Sequence, residues 1–85
     1  MKGIEIARKV VTEKSALLFR FREDGQYDAK PFSGGNKRGW VLLDLWSASV
    51  FVQVYDAVNE ENKAKIDRMS LVRGVEIALK LAARN

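Results

Sequence analysis

The feature that most constrains this chain is a change of hydrophobic period near residue 15. Across residues 2–14, Ile4, Ile6, Ala7, Val10 and Val11 fall within one sector of a helical wheel, about 160° wide, and Lys2, Glu5, Arg8, Lys9, Thr12 and Glu13 fill the remainder. From Ser15 the period drops to two: Leu17, Phe19 and Phe21 alternate with Leu18, Arg20 and Arg22. A pattern that buries one stripe of a helix cannot bury one face of a strand, so the first third must read helix, then strand.

Asp24-Gly25 follows the first strand and predicts a two-residue type I′ hairpin, in which both loop positions take φ > 0. That register sets Glu23 against Gln26, Arg22 against Tyr27 and Arg20 against Ala29, and it lays Arg22 over the Tyr27 ring as a cross-strand cation–π pair. The second strand is expected to end near Pro31, which cannot donate to a ladder and suits an edge or a strand end. Residues 32–39 are a loop by composition, with three glycines, a serine and an asparagine. Trp40 to Leu45 then forms a third strand, apolar on both sides, which reads as a central strand or as one covered by helices on one face and a partner on the other.

The rest of the chain is helical. Asp44 or Ser47 can cap the next helix, whose stripe runs Val50, Phe51, Val54, Tyr55 and Val58. A strand over Val50–Tyr55 is the alternative, because that run has high β propensity, but the stripe persists to Val58 and favours helix. Asn59-Glu60-Glu61 starts a short helix with a capping amide and two carboxylates at the positive end of the dipole. Ser70 caps the last helix, in which Arg73, Glu76, Lys80 and Arg84 leave a single polar stripe. So apolar a circumference requires either a central position or a second subunit. The expected architecture is one α+β domain over residues 1–85: an N-terminal helix, a three-stranded antiparallel β-meander and three C-terminal helices.

Composition narrows the chemistry. The 85 residues contain no cysteine and no histidine, which removes thiol nucleophiles, zinc-finger ligands, and the commonest general base. The glycine loop Gly34-Gly35-Asn36-Lys37-Arg38-Gly39 could suggest phosphate binding. It lacks the Walker spacing, has no Ser or Thr after the lysine and leads into a strand. Glu60 and Glu61 are adjacent and point apart on a helix, and nothing brings Asp44 and Asp56 together as an acid–base pair. A helix-turn-helix reading of the last two helices fails because the second offers few polar side chains to base edges. The chain is therefore expected to be non-enzymatic, with no catalytic, cofactor or metal site.

Charge then points to a surface. The net charge is +4, and all of it resides in residues 1–43, which hold nine Lys or Arg and five Asp or Glu. Residues 44–85 hold six of each. Basic and aromatic residues interleave around the hairpin, so Arg20, Arg22, Tyr27, Phe32, Lys37, Arg38 and Trp40 are the candidate partner-binding residues, with Trp46 beside them, because Trp and Arg recur at interface hot spots. A protein partner is the primary expectation. A nucleic-acid-binding regulator using Arg20, Arg22, Lys37 and Arg38 is the alternative.

The strings Val41-Leu42-Leu43-Asp44, Ser47-Ala48-Ser49, Val54 to Lys65 and Arg73 to Leu81, with Ala7-Arg8-Lys9-Val10-Val11, resemble small uncharacterised proteins of actinobacterial phages and prophages. The resemblance covers about two thirds of the chain and least of the hairpin; it implies a phage accessory protein, transfers no site residues, and makes a host or phage protein the expected partner. Surplus apolar surface on the last helix and third strand adds a homo-oligomer as an expectation. No apolar run approaches the ~20 residues of a membrane span and no signal-type segment opens the chain, so a cytoplasmic location without membrane contact is expected.

Overall fold

The computed structural model describes residues 1–33 and 38–83. Helix α1 (Gly3–Glu13) begins where the Lys2 N–H donates to Glu5 Oε1 at 2.8 Å, and it buries Ile6, Ala7 and Val10. It ends at Lys14, whose left-handed φ of 53° turns the chain into strand β1 (Leu17–Phe21). Strands β2 (Tyr27–Pro31) and β3 (Val41–Leu43) both pair antiparallel with β1. Helices α2 (Leu45–Ala57), α3 (Glu60–Arg68) and α4 (Leu71–Ala83) follow. This is the expected α+β class with one helix, three antiparallel strands and three helices.

Strand order differs from the consecutive order of a meander. The sheet runs β2-β1-β3, so β1 is central and β3 is an edge, which overturns the first of the two readings of its apolar sequence, that of a central strand. Leu17, Leu18 and Phe19 of β1 are all buried, as a strand flanked on both sides and covered on both faces must be.

The hairpin also differs from the expectation. Gly25 takes φ 85°, while among the described residues only Lys14 takes a positive φ without being glycine, so Asp24 does not. The loop is Glu23-Asp24-Gly25, closed by Arg22 N–H to Gln26 O at 2.7 Å and by Gly25 N–H to Arg22 O at 3.2 Å. This is a three-residue connection with glycine at its left-handed position. The register moves by one residue: Phe21 faces Tyr27 and Arg20 faces Asp28. A one-residue shift transfers every side chain of a strand to the other face, and burial decides which register wins. The observed one brings Tyr27 to the helix side, edge-on to Phe19 and Phe21 with centroids 5.8 and 5.2 Å away. The expected Arg22–Tyr27 stack is therefore absent.

Helix α2 forms as expected and is capped by Asp44, whose Oδ1 accepts from Ser47 N–H at 2.7 Å. Asn59 caps α3, and Ser70 Oγ accepts from Arg73 N–H at the start of α4. The core joins Ile6, Ala7 and Val10 of α1, Leu17 and Phe19 of β1, and Leu43 with Ala48 and Phe51 of α2. Helix α4 closes on α2 through Leu71, Gly74 and Ala78. Gly74 permits this approach, since a Cβ there would lie 2.8 Å from Cε1 of the buried Phe51 ring. One face of α4 is buried rather than several, because α4 packs at the outside of the bundle and leaves Val72 and Leu81 exposed. No described helix is long and apolar enough to cross a membrane.

Candidate functional site

The sheet has two faces of different chemistry. Leu17 and Phe19 point into the helical core, so by alternation Leu18 and Arg20 point outward, together with their neighbours Asp28, Lys30 and Leu42. Strands β2 and β3 are both antiparallel to β1 and hence parallel to each other. The helices occupy the inner face of the sheet. Trp40, just before β3, meets Arg20 and Lys30 and so lies on the outer face. Arg20 Cζ is 4.4 Å and Lys30 Nζ 4.2 Å from its ring centroid. Cation–π contact is present, but through Trp40 rather than Tyr27.

The two arginines of the hairpin are paired from within. Arg20 Nε meets Asp28 Oδ2 at 3.4 Å, and Arg22 meets Asp24 at 2.8 Å and Asp28 at 3.5 Å. Of the seven candidate residues, Arg20 lies on β1, Arg22 just after it, Phe32 just after β2 and Trp40 just before β3, and Phe32 joins the sheet through its N–H to Ala16 O at 3.3 Å. Arg38 is exposed, and Lys37 and the Gly34-Gly35 pair lie outside the described residues. Tyr27 is on the opposite side, half-buried, where its hydroxyl accepts the Leu71 N–H at 2.8 Å. That contact satisfies one of the orphan donors at the start of α4. Trp46 is 67% exposed on the first turn of α2.

A groove of about 520 Å³ opens on the inner side, between the start of α1, the hairpin and the α3–α4 turn. Its floor reaches Phe19, Phe51 and Ile66, and Tyr27, Met69 and Leu71 form its walls. Phe21, Val41 and Val72 stand at its mouth, 65%, 45% and 44% exposed. Lys2, Arg20, Arg68 and Asp67 surround it. Asp67 accepts the Tyr55 hydroxyl at 3.0 and 3.2 Å, whereas no ion pair to Lys2 or Arg68 occurs among the described residues. Lys2 and Arg68 thus stand at the rim without an ion pair, beside the carboxylate of Asp67.

Sequence alternation placed Phe21 with the buried set, but the helices end short of it. The groove is assembled from segments more than 40 residues apart, and no local motif announces it.

Behind the groove, two polar straps hold the helices in register. Arg8 donates to both Asp56 carboxylate oxygens at 3.1 and 2.5 Å. This bidentate hydrogen bond holds the Asp56 carboxyl below its ordinary value and raises that of Arg8. Burial, followed by its hydrogen bond to Asp67, raises the Tyr55 phenol above its ordinary value. No group of three or more His, Cys, Asp or Glu residues suited to a metal ion occurs among the described residues. Comparison with protein-family models, curated proteins and solved structures finds no match.

Proposed function

We propose that this chain is a non-enzymatic protein-binding module that receives an apolar segment of a partner, flanked by carboxylates, in the groove between α1, the hairpin and the α3–α4 turn. The observation that carries the reading is the exposure of Phe21, Val41 and Val72 around a cleft that reaches the core. Large apolar side chains clustered at a concave site mark interaction surfaces more than isolated ones do. The unpaired Lys2 and Arg68 at the rim select for acidic flanks over basic ones. The resemblance to phage and prophage proteins supports a host or phage protein as the partner, with this chain acting in the host cytoplasm as an accessory regulator or inhibitor.

The alternative is nucleic-acid binding by the outer face through Arg20, Arg22, Lys37 and Arg38. The ion pairs of Arg20 and Arg22 with Asp24 and Asp28 weigh against it, as does occupation of the Trp40 ring by two cations where a base would stack.

Affinity capture from host lysate, with and without nuclease, tests the choice when run with wild type and Phe21→Asp. The expected result is a nuclease-resistant protein whose capture falls by about 30-fold in the variant, the ~2 kcal/mol of a hot-spot anchor. Nuclease-sensitive capture that persists in Phe21→Asp and declines steeply with salt contradicts the reading and favours the alternative.

A further inference from the structure

The two edges of the sheet are finished differently. Along β2, Arg22 N–H bonds Gln26 O and Phe32 N–H bonds Ala16 O, so the even-numbered residues face β1 and the odd-numbered ones face outward. Of the outward groups, the Tyr27 N–H is taken by Met1 O at 3.1 Å, and Pro31 has no N–H. Only Ala29 keeps an outward donor. This edge is blocked by two of the devices that proteins use against strand addition.

Edge β3 carries neither device. Its register with β1 turns Val41 and Leu43 inward and Leu42 outward. Outside the ladder, no backbone hydrogen bond from residues 41–43 occurs among the described residues. Val41 and Leu42 are exposed, and so are Leu45 and Trp46 on the adjoining turn of α2. Between Gly39 and Tyr55 the sequence contains one charged residue, Asp44.

We infer that two copies of this chain join through their β3 edges, antiparallel about a twofold axis at Leu42. The sheets merge into one of six strands, in the order β2-β1-β3-β3-β1-β2. Three features favour a second copy as the occupant. A chain of net charge +4 repels itself, and this nearly uncharged segment is where repulsion is least. A twofold arrangement sets Leu42 against Leu42 and Val41 against Leu43, so the apolar edge is its own complement. The same register places Trp40 opposite Asp44 and holds the two Asp44 residues four positions, about 13 Å, apart. The edge shares Val41 with the mouth of the groove, but Leu42, Leu45 and Trp46, on which the test relies, take no part in lining it.

Sedimentation equilibrium and light scattering on the purified chain test it. The expected mass is twice the 9.6 kDa of one chain at concentrations up to about 1 mM. Leu42→Lys and Leu42→Glu should each give the single-chain mass, with circular dichroism unchanged, and mixing the two should restore the double mass. That rescue occurs only if residue 42 faces residue 42 across the axis. Trp46→Ser alters a side chain two-thirds exposed and should weaken association by about tenfold. A monomeric wild type throughout the range overturns the inference. So does a dimer unaffected by Leu42→Lys and Trp46→Ser, which would assign association to another surface or strand partner.

Discussion

The two faces of strand β1 are equally dry and are kept dry by different means. Leu17 and Phe19, at 2% and 3% exposure, sit in a core shared by three helices. Leu18, also at 3%, belongs to no such cluster; it lies on the outer face between Lys30, which meets the Trp40 ring, and Leu42. The inner face remains apolar to the rim of the groove and leaves cations unpaired there. The outer face is richer in arginine and aromatic rings, yet its charges and its indole are largely consumed by one another. Residue types that resemble a binding surface are thus occupied in holding a thin cover on the sheet, and the open chemistry lies on the other side.

Truncation of the two faces should separate them. Phe19→Ala should cost about 3–5 kcal/mol in chemical denaturation, the range for a large core aromatic. Leu18→Ala should lie at the low end of its class, about 2 kcal/mol, because its surface neighbours Lys30 and Leu42 relax into the space more easily than packed helices do. Equal costs, or a larger one at Leu18, would break the distinction. Trp40→Ala should cost about 1–2 kcal/mol, from two cation–π contacts of roughly 0.5–1 kcal/mol each. It should also expose Leu18, seen as faster hydrogen exchange across the centre of β1.

The smallest effect is electrostatic and belongs to the helices. Asp56 titrates below its ordinary value of 3.8 because Arg8 holds it, so the pair stabilises the fold fully above that pH. Its contribution is lost as pH falls through the lowered value. Arg8→Met should therefore be less stable than wild type at neutral pH, and the difference should shrink towards zero in strong acid. A difference independent of pH would assign the effect of Arg8 to packing of its aliphatic stem.

Much of this fold is legible in the sequence where the cause is local. Asp44, Asn59 and Ser70 cap helices because a short polar side chain reaches a backbone N–H two or three residues on, and that needs no tertiary partner. The stripe ending at Val58 outweighed the β propensity of Val50–Tyr55 for a similar reason. The hairpin register was not legible, since it turns on Tyr27 joining Phe19 and Phe21 across the sheet. Cation–π chemistry at the hairpin was anticipated with the wrong ring, because Trp40 reaches Arg20 and Lys30 only through a strand order that sets β3 beside β1. The groove was not legible either. Its mouth combines Phe21, Val41 and Val72, which only the completed fold brings together.

The central claim is that the partner binds the inner groove and not the basic outer face. Titrating isotope-labelled chain with the protein recovered by capture, and following amide and methyl NMR shifts, tests it most directly. The account predicts that the largest changes fall on Phe21, Tyr27, Val41, Met69 and Val72, with Lys30 and the Trp40 indole unmoved. Changes concentrated on Arg22, Lys30, Arg38 and Trp40, with Met69 and Val72 silent, would contradict it.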